Sequence, residues 1–347
     1  MNRRVWIGLA AVLSGMWALR VQGDTEKTPA PAGPLQIVKT IEGGGDGQWD
    51  YVTVDPVGRR IYVARATRVM VFDADTGVLA GEVPGLKGAH GVALVPGGAI
   101  AFATSGLDNL VLAFDTKTLA VLHQIKAGQK PDAVCYDPAS KKIFAFNGRS
   151  GEATVIDPAA PQSAPGTVAI GGKLEAGVSD EAGRVYVNVE DKAEVAVIDT
   201  KTMTVSARWP LAPGALPTGI ALDAARGRLY VGCSNEKLVV LDVKSGKVLA
   251  DLPIGPRVDG VAYDPTLQAA LSTSGGDGTI AVVRETRPGT FAVTQTIKTV
   301  AGARTIGLDA KTHRFYVPAN LPPKVEGNKP VFGIYVVGVP GPIGTGN

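Results

Sequence analysis

Residues 218–232 read TGIALDAARGRLYVG. Alternating apolar positions on both sides of the turn at 223–227 predict two short antiparallel strands. The same pattern returns every 40 to 45 residues, each time around an anchor position just after the first strand. The seven anchors are Asp55, Val95, Asp137, Asp180, Asp223, Asp264 and Asp309. A unit of this length buries its apolar faces only by packing against its own copies, so the sequence predicts a repeat fold.

The fifth unit, Leu216–Pro256, contains two further strands, which we predict at 237–241 and 247–254. Four short antiparallel strands per unit and seven units predict an all-β, seven-bladed β-propeller. The seventh unit ends without a fourth strand after Val337. Residues 35–41 have the pattern of an unpaired fourth strand, and we predict that this N-terminal strand completes the last blade and closes the ring.

Several strands carry a Tyr-Val pair, and one turn reads Ile198-Asp199-Thr200. The pairs occur at 62–63, 186–187, 230–231 and 316–317. Together with the Asp-Pro anchors, these residues resemble the YVTN repeats of YncE-like β-propellers over residues 35–338. The resemblance implies an exported propeller, and DNA binding has been attached to one member of the family. Seven-bladed lactonases such as bacterial 6-phosphogluconolactonase are similar in architecture, so an enzyme remains open.

The N-terminal residues have a composition of their own. Arg3 and Arg4 precede an apolar run, Val5–Leu19, and small or moderate residues follow at 21–23. This layout predicts a signal peptide at 1–23, followed by a flexible linker at 24–34, the propeller at 35–338 and a flexible tail at 339–347. The predicted location is periplasmic or extracellular, with no membrane span in the mature chain. A retained N-terminal anchor and twin-arginine export are the alternatives.

The charge of the chain argues against nucleic acid as a partner. The whole chain has 35 Lys and Arg against 32 Asp and Glu. Removing residues 1–23 removes three Arg and no acid, so the mature chain is formally neutral. Cys135 and Cys233 belong to units that are not neighbours, and we expect free thiols that are buried or, for Cys233, in a loop. We expect a monomer.

One position in each unit departs from the repeat. It lies five residues before the anchor, at the start of the first strand, where the seven ring residues are Asp50, His90, Asp132, Glu175, Thr218, Asp259 and Arg304. Clustered carboxylates repel each other unless a cation, a shared proton or a ligand offsets them. The ring therefore predicts a site for a small molecule, a metal ion or a protein partner at the mouth of the central channel. The alternative is a hydrated mouth in which Arg304 and His90 neutralise some of the acids.

Loops on the same face supply further candidates. The residues that we expect around the ring are Arg65, Asn147, Arg149, Asn188, Asn235 and Asp277. The longer seventh-unit loop, Leu321–Pro330, is predicted to overhang the mouth or to form a disordered surface loop. Most of these loop residues also fit an ordinary role in turns.

Several motifs are absent from the sequence, and their absence argues against some kinds of metal and cofactor site. The three histidines occupy different strand positions, so they predict no multi-histidine metal centre. The chain has no haem-attachment motif and no nucleotide-binding motif. A divalent cation, Ca²⁺, Mg²⁺ or Mn²⁺, remains a candidate cofactor, held by Asp50, Glu175 and Asp259.

The sequence favours a non-catalytic binding scaffold, with a metal-assisted hydrolase of the lactonase type as the alternative. In that enzyme His90 or Asp132 would activate water and Arg304 would stabilise an oxyanion. DNA binding, suggested only by the resemblance, is the third hypothesis.

Overall fold

Seven four-stranded antiparallel sheets form the blades of a propeller in the computed structural model, which describes Met1 and residues 33–45, 47–323 and 328–341. We number the blades I to VII in chain order. In blades I to VI the four strands follow each other in sequence, and the first strand is innermost because it packs against the first strands of the neighbouring blades. The predicted all-β, seven-bladed fold is confirmed.

The strands of blades I to III are β2 (Trp49–Asp55), β3 (Arg60–Arg65), β4 (Arg68–Asp73), β5 (Leu79–Pro84), β6 (Ala89–Leu94), β7 (Ile100–Ser105), β8 (Leu110–Asp115), β9 (Val121–Lys126), β10 (Pro131–Asp137), β11 (Lys142–Asn147), β12 (Glu152–Ile156) and β13 (Gly166–Ala169). Those of blades IV to VI are β14 (Leu174–Ser179), β15 (Arg184–Val189), β16 (Glu194–Asp199), β17 (Thr204–Pro210), β18 (Pro217–Asp223), β19 (Arg228–Cys233), β20 (Lys237–Asp242), β21 (Val248–Pro253), β22 (Val258–Asp264), β23 (Ala269–Ser274), β24 (Thr279–Arg287) and β25 (Thr290–Lys298). One turn of 3₁₀ helix, Glu190–Lys192, is the helical element of the described chain.

Blade VII is built from both ends of the chain. Its strands are β26 (Gly307–Asp309), β27 (Arg314–Leu321), β28 (Val331–Gly338) and, outermost, β1 (Gln36–Glu42). Strand β1 pairs antiparallel with β28 from Gln36 opposite Gly338 to Glu42 opposite Gly333. Ring closure by an N-terminal strand is therefore confirmed. The inner strand β26 is short, so Arg304 precedes it rather than starting it.

Apolar side chains from neighbouring blades fill the space between the sheets. The tyrosines of the four Tyr-Val pairs are all buried in second strands, where the alternation directs them into the core. Tyr62 packs on Phe114 of the next blade, with ring centroids 6.1 Å apart, and Tyr230 stacks on Tyr263 at 5.4 Å. In blades I and V the repeated aromatic position thus joins a blade to the next, whereas Tyr186 packs on Trp209 of its own blade.

The anchor aspartates lie at the end of the disc opposite the predicted mouth. Each of four anchors is fully or almost fully buried and pairs with a side chain of the following blade. The pairs are Asp137 with Ser179 (2.5 Å), Asp223 with Tyr263 (2.6 Å), Asp264 with His313 (2.8 Å) and Asp309 with Arg59 (2.6 Å). We call this the anchor end; here the aspartates fasten the blades to one another as well as capping turns.

Both cysteines are free thiols, and Cys233 is buried at the end of β19 rather than in a loop. The described residues include no helix that is long and apolar enough to cross a membrane. The predicted leader and linker lie outside the described residues apart from Met1, Gly33 and Pro34, as do residues 324–327 of the predicted overhanging loop and 342–347 of the tail.

Candidate functional site

The inner strands of blades I to VI share an irregularity at the ring position. In blade I, Trp49 pairs with Arg65 and Val52 with Val63, so that two residues, Asp50 and Tyr51, face a single residue of β3. The same kind of register shift occurs beside the ring residue in blades II to VI. A bulge re-aims the side chains next to it. It explains why the ring residues depart from the alternation of their strands.

The position after the ring residue is small in most blades because the inner strands approach closely there. A Cβ atom on Gly219 would lie 2.7 Å from the backbone nitrogen of Val261, and one on Gly260 would lie 2.8 Å from the Cα atom of Thr305. These distances leave no room for a side chain. The two glycines show that the inner strands are crowded near the channel axis.

Asp50, His90 and Asp132 form one cluster at the mouth end. His90 Nδ1 lies 2.6 Å from Asp50 Oδ2 and 3.4 Å from Asp132 Oδ1. Burial raises the pKa of Asp50 more than the hydrogen bond from His90 lowers it. Burial lowers the pKa of His90, but the hydrogen bond to Asp50 and the charge of Asp132 outweigh it and raise the pKa. Asp50 and His90 therefore both keep a proton to a higher pH than usual, and a hydrogen bond joins the two side chains.

Glu175 extends the acidic cluster into blade IV. Its pKa is raised to about 9 by burial, by the charge of Asp132 and by a hydrogen bond with Glu190. Lys173 Nζ lies 3.2 Å from Glu175 and also pairs with Glu190, while Lys130 Nζ lies 3.2 Å from Asp132. The two lysines offset the acids only in part, because Glu175 still favours its neutral form.

Asp259 and Arg304 form an ion pair on the other side of the ring. Arg304 Nη1 lies 3.2 Å from Asp259 Oδ2, and Nη2 donates to the carbonyl oxygen of Trp49. Burial and the charge of Asp50 raise the pKa of Asp259 to about 6 even though Arg304 opposes the shift. Asp259 therefore belongs electrostatically to the same group as the acids of blades I and III.

Tyr51 occupies the centre of the ring. It is the one bulky residue at a position that is otherwise small, and it packs against the apolar cluster of blades III to V, across the channel from its own blade. Its pKa is raised well above the usual value by burial and by the charges of Glu175, Asp132, Asp50 and Asp259. The phenol thus lies near carboxylates from four blades, and Tyr51 also lines a cavity of about 140 Å³ in the channel.

Thr218 serves a different purpose from the other ring residues. Its hydroxyl is buried and donates to the carbonyl oxygen of Val258 in the next blade, at 2.7 Å. Asn188 donates to the carbonyl oxygens of Thr218 and Gly219. These contacts link blades IV, V and VI through backbone acceptors.

The loop residues predicted around the ring have mainly local partners. Arg65 donates to Gly45 and lies 3.7 Å over the ring of Phe332, and Arg149 is exposed. The other partners belong to turns and strand ends: Asn147 with Glu152 and Thr154, Asn235 with Pro213 and Ala215, and Asp277 with Thr279.

Three residues of the acidic cluster lie close enough together to hold a metal ion. Among the described residues, one group of three or more potential ligands lies together: the ligand atoms of Asp50, His90 and Asp132 are all within 4.8 Å of one another. The predicted set shares Asp50 with this group, whereas Glu175 and Asp259 lie outside it. A cation at the triad would replace the proton that His90 shares with the acids.

A cavity of about 490 Å³ opens beside the ring, between blades I, V, VI and VII. Trp49, Arg257, Asp259 and Arg304 line it, together with the exposed amide side chains of Gln48 and Asn320. Asp50, His90, Asp132 and Glu175 do not line it. The mouth therefore has two parts, an acidic cluster over blades I to IV and a cavity with two guanidinium groups.

Four side chains that complete the mouth were not predicted from the sequence: Tyr51, Lys130, Lys173 and Arg257. Tyr51 was visible as the single large residue in a column of small ones. Lys130, Lys173 and Arg257 each stand two residues before a ring acid, in the pattern cation-x-acid, and this spacing was the available signal.

Comparisons with known proteins support the architecture. A family model described as outer membrane protein assembly factor BamB matches residues 162–312, which is less than half of the chain. A solved structure of Kuenenia stuttgartiensis hydrazine synthase aligns with a TM-score of 0.68 and 15% sequence identity, over 80% of this chain and 95% of that chain. At this identity the likeness shows the fold alone. None of the curated proteins matches this chain.

Proposed function

We propose that this protein is a binding propeller whose channel mouth takes a positively charged ligand. The observation that carries the proposal is the convergence of Asp50, Asp132, Glu175 and Asp259 around Tyr51. Burial, and after it the charges of neighbouring acids, raises the pKa values of Glu175 and Asp259, so their ionised forms are unfavourable at the mouth. A bound cation would remove that penalty.

The charges at the mouth leave a role for such a ligand. Five carboxylates, the four above and Glu190, face the permanent cations Lys130, Lys173 and Arg304 and one histidine. A divalent metal ion, an organic amine and a lysine side chain presented by a partner protein all supply the missing positive charge. The metal ion has the most defined place, at the triad of Asp50, His90 and Asp132.

We also propose that the protein acts outside the cytoplasm, in the periplasm or beyond. The predicted leader at 1–23 supports this, and so does the match of residues 162–312 to a family described by outer membrane protein assembly. The kinship with YVTN-repeat propellers stays a prediction of the Tyr-Val pairs. Nucleic-acid binding finds no support in an acidic mouth.

The test is ligand-dependent thermal stabilisation at pH 8. We expect Mn²⁺, Ca²⁺, Mg²⁺ or 1,4-diaminobutane to raise the unfolding midpoint of the full chain, because a ligand that binds only the native state stabilises it. The triple variant Asp132→Asn, Glu175→Gln and Asp259→Asn should lose that increase. Asp251→Asn, which alters an exposed ion pair with Lys237 on blade V, is the matched control and should keep it. If no cation raises the midpoint, or the triple variant responds like the control, the mouth is a hydrated ring of ion pairs.

A metal-assisted hydrolase is the second candidate, and the triad favours it. A metal ion on Asp50, His90 and Asp132 would lower the pKa of a bound water and so supply a nucleophile. Arg304, paired with Asp259 across the ring, is the available cation for a developing oxyanion. Purified protein loaded with Mn²⁺ and offered a panel of lactones should then show turnover that His90→Gln abolishes. Bound metal without turnover would leave the binding function and remove the enzyme.

A further inference from the structure

The cavity of about 490 Å³ beside the ring has a charge opposite to that of the acidic cluster. Among the described residues that line it, Arg257 and Arg304 are cations and Asp259 is the one acid. Arg304 is already paired with Asp259. Arg257 therefore carries a formal positive charge that no acid in the described part of the lining offsets.

Two residues that line this cavity carry donor groups without an acceptor among the described residues. The guanidinium group of Arg257 is on an exposed residue and makes no hydrogen bond or ion pair with any residue that the structure describes. Trp49 is only 5% exposed, yet its indole N–H has no hydrogen-bond partner within the described part of the chain. A buried donor without an acceptor costs free energy, so native proteins rarely keep one without a reason.

Both groups can donate and cannot accept. A guanidinium carries five N–H donors and an indole carries one, and neither offers a lone pair to a ligand. The complementary ligand group is thus rich in acceptors and negatively charged, as a carboxylate or a phosphate is. The volume of the cavity is in the range of sites for small organic molecules and exceeds what an inorganic anion needs.

We infer that this cavity binds a small organic oxyanion, with its charged oxygens on Arg257 and Trp49. The inference rests on the proposed binding function and deepens it by giving the mouth a second subsite of opposite charge. A ligand that carries both an anionic group and an amine can occupy the two parts together, with its amine toward the acids of the ring. An amino acid has this chemistry.

Isothermal titration calorimetry of the full chain tests the inference. The probes are succinate, glutamate and inorganic phosphate, with succinamide as an uncharged match for succinate. We expect dissociation constants below about 1 mM for at least one anion and no heat from succinamide. Tighter binding of succinate or glutamate identifies a carboxylate, and tighter binding of phosphate identifies a phosphoryl group as the oxyanion.

Variants locate the anion. Arg257→Gln should weaken anion binding about tenfold or more, because a charge-assisted hydrogen bond is lost. Arg287→Gln removes the same charge from an exposed position at the end of β24 and should leave the affinity unchanged. Trp49→Phe keeps an aromatic ring and removes the N–H, so we expect a loss of severalfold. Because Arg257 is exposed, its variant stays folded and informative even if Trp49→Phe does not fold.

Two results would overturn the inference: no binding of any of the three anions up to about 10 mM, or equal affinities for the Arg257→Gln and Arg287→Gln variants. Failure here is distinguishable from failure of the proposed function. Asp132→Asn, which does not line the cavity, should impair stabilisation by cations and leave anion binding at Arg257 intact.

Discussion

The two ends of the inner strands use the same kind of residue in opposite ways. At the anchor end, burial raises the pKa of Asp137, but hydrogen bonds from Ser140 and Ser179 outweigh it and lower the pKa. At the mouth end, burial and the charge of Asp50 raise the pKa of Asp259 to about 6 although Arg304 lies beside it. Burial alone therefore does not decide the state of a carboxyl group; the supply of donors does.

This difference separates stability from binding. An anchor aspartate with its donors in place fastens one blade to the next, whereas a mouth acid without enough donors is a cost to folding that a ligand can remove. Proteins commonly place such unfavourable groups at functional sites. We expect substitutions at the anchor end to reduce stability and substitutions at the mouth end to change stability with pH and ligand.

The largest loss of stability should come from opening the ring of blades, because both ends depend on its closure. Leu35, just before strand β1, and Ile41 within it are buried, and β1 covers the edge of β28. Deleting residues 35–42 should cost on the order of 4 kcal/mol from these two side chains alone and lower the thermal midpoint sharply. Thr40→Ala, an exposed change in the same strand, is the control for circular dichroism melts. An unchanged melting curve after the deletion would show that the ring is held closed without β1.

The next largest effect tests the anchor end. The side chain of Asp309 is fully buried, and its carboxylate accepts a hydrogen bond from Arg59 across the junction of blades VII and I. Asp309→Ala leaves the guanidinium without this partner and should cost about 3 kcal/mol in the free energy of unfolding. Asp251→Ala breaks the exposed pair with Lys237 and should cost less than about 1 kcal/mol. Similar losses in urea titrations would contradict the importance that we give to the anchor end.

The two ends also differ in how much of their structure could be predicted from the sequence. The period and the anchors specified seven blades, and the pattern of residues 35–41 specified the strand that closes them. The ring position was found because the residues there break the repeat. The register shift beside Asp50, which re-aims the ring side chains, leaves no trace in a one-dimensional pattern. The hydroxyl of Thr218 donates a hydrogen bond to the backbone carbonyl of Val258. The sequence alone could not distinguish this structural role from ligand binding.

The third prediction concerns the mouth end and pH. Folded Glu175 holds its proton to a pKa of about 9, whereas a glutamate in an unfolded chain releases it near pH 4.5. Between these values the native state binds more protons, so its stability falls as the pH rises. Glu175→Gln has no proton to lose and should be more stable than the parent at pH 8.5, by about 1–3 kcal/mol, with a smaller difference at pH 5.

Urea titrations at the two pH values measure this gap. Glu82→Gln changes an exposed glutamate paired with Arg68 on the outer strands of blade I, and it should show no such growth of the difference with pH. A Glu175→Gln variant that is destabilised equally at pH 5 and pH 8.5 would mean that the carboxylate is needed for packing, and the mouth would then resemble the anchor end.

The smallest expected changes in the free energy of unfolding come from two tyrosine substitutions, one at each end of the inner strands. Tyr263 donates to the buried carboxylate of Asp223 at the anchor end, at 2.6 Å, while the hydroxyl of Tyr51 makes no hydrogen bond with another described residue. Tyr263→Phe should cost about 1–2 kcal/mol, because Asp223 loses a donor. Tyr51→Phe should stay within about 0.5 kcal/mol of the parent, since the aromatic ring still fills the channel.

The order of the two effects should be reversed when the response to added cations is measured. Tyr51→Phe should change the shift of the midpoint, because its hydroxyl lies among the acids that would hold the ligand, and Tyr263→Phe should leave that shift unchanged. If Tyr263→Phe alters the response to cations, the two ends are coupled through the inner strands and do not act as separate regions.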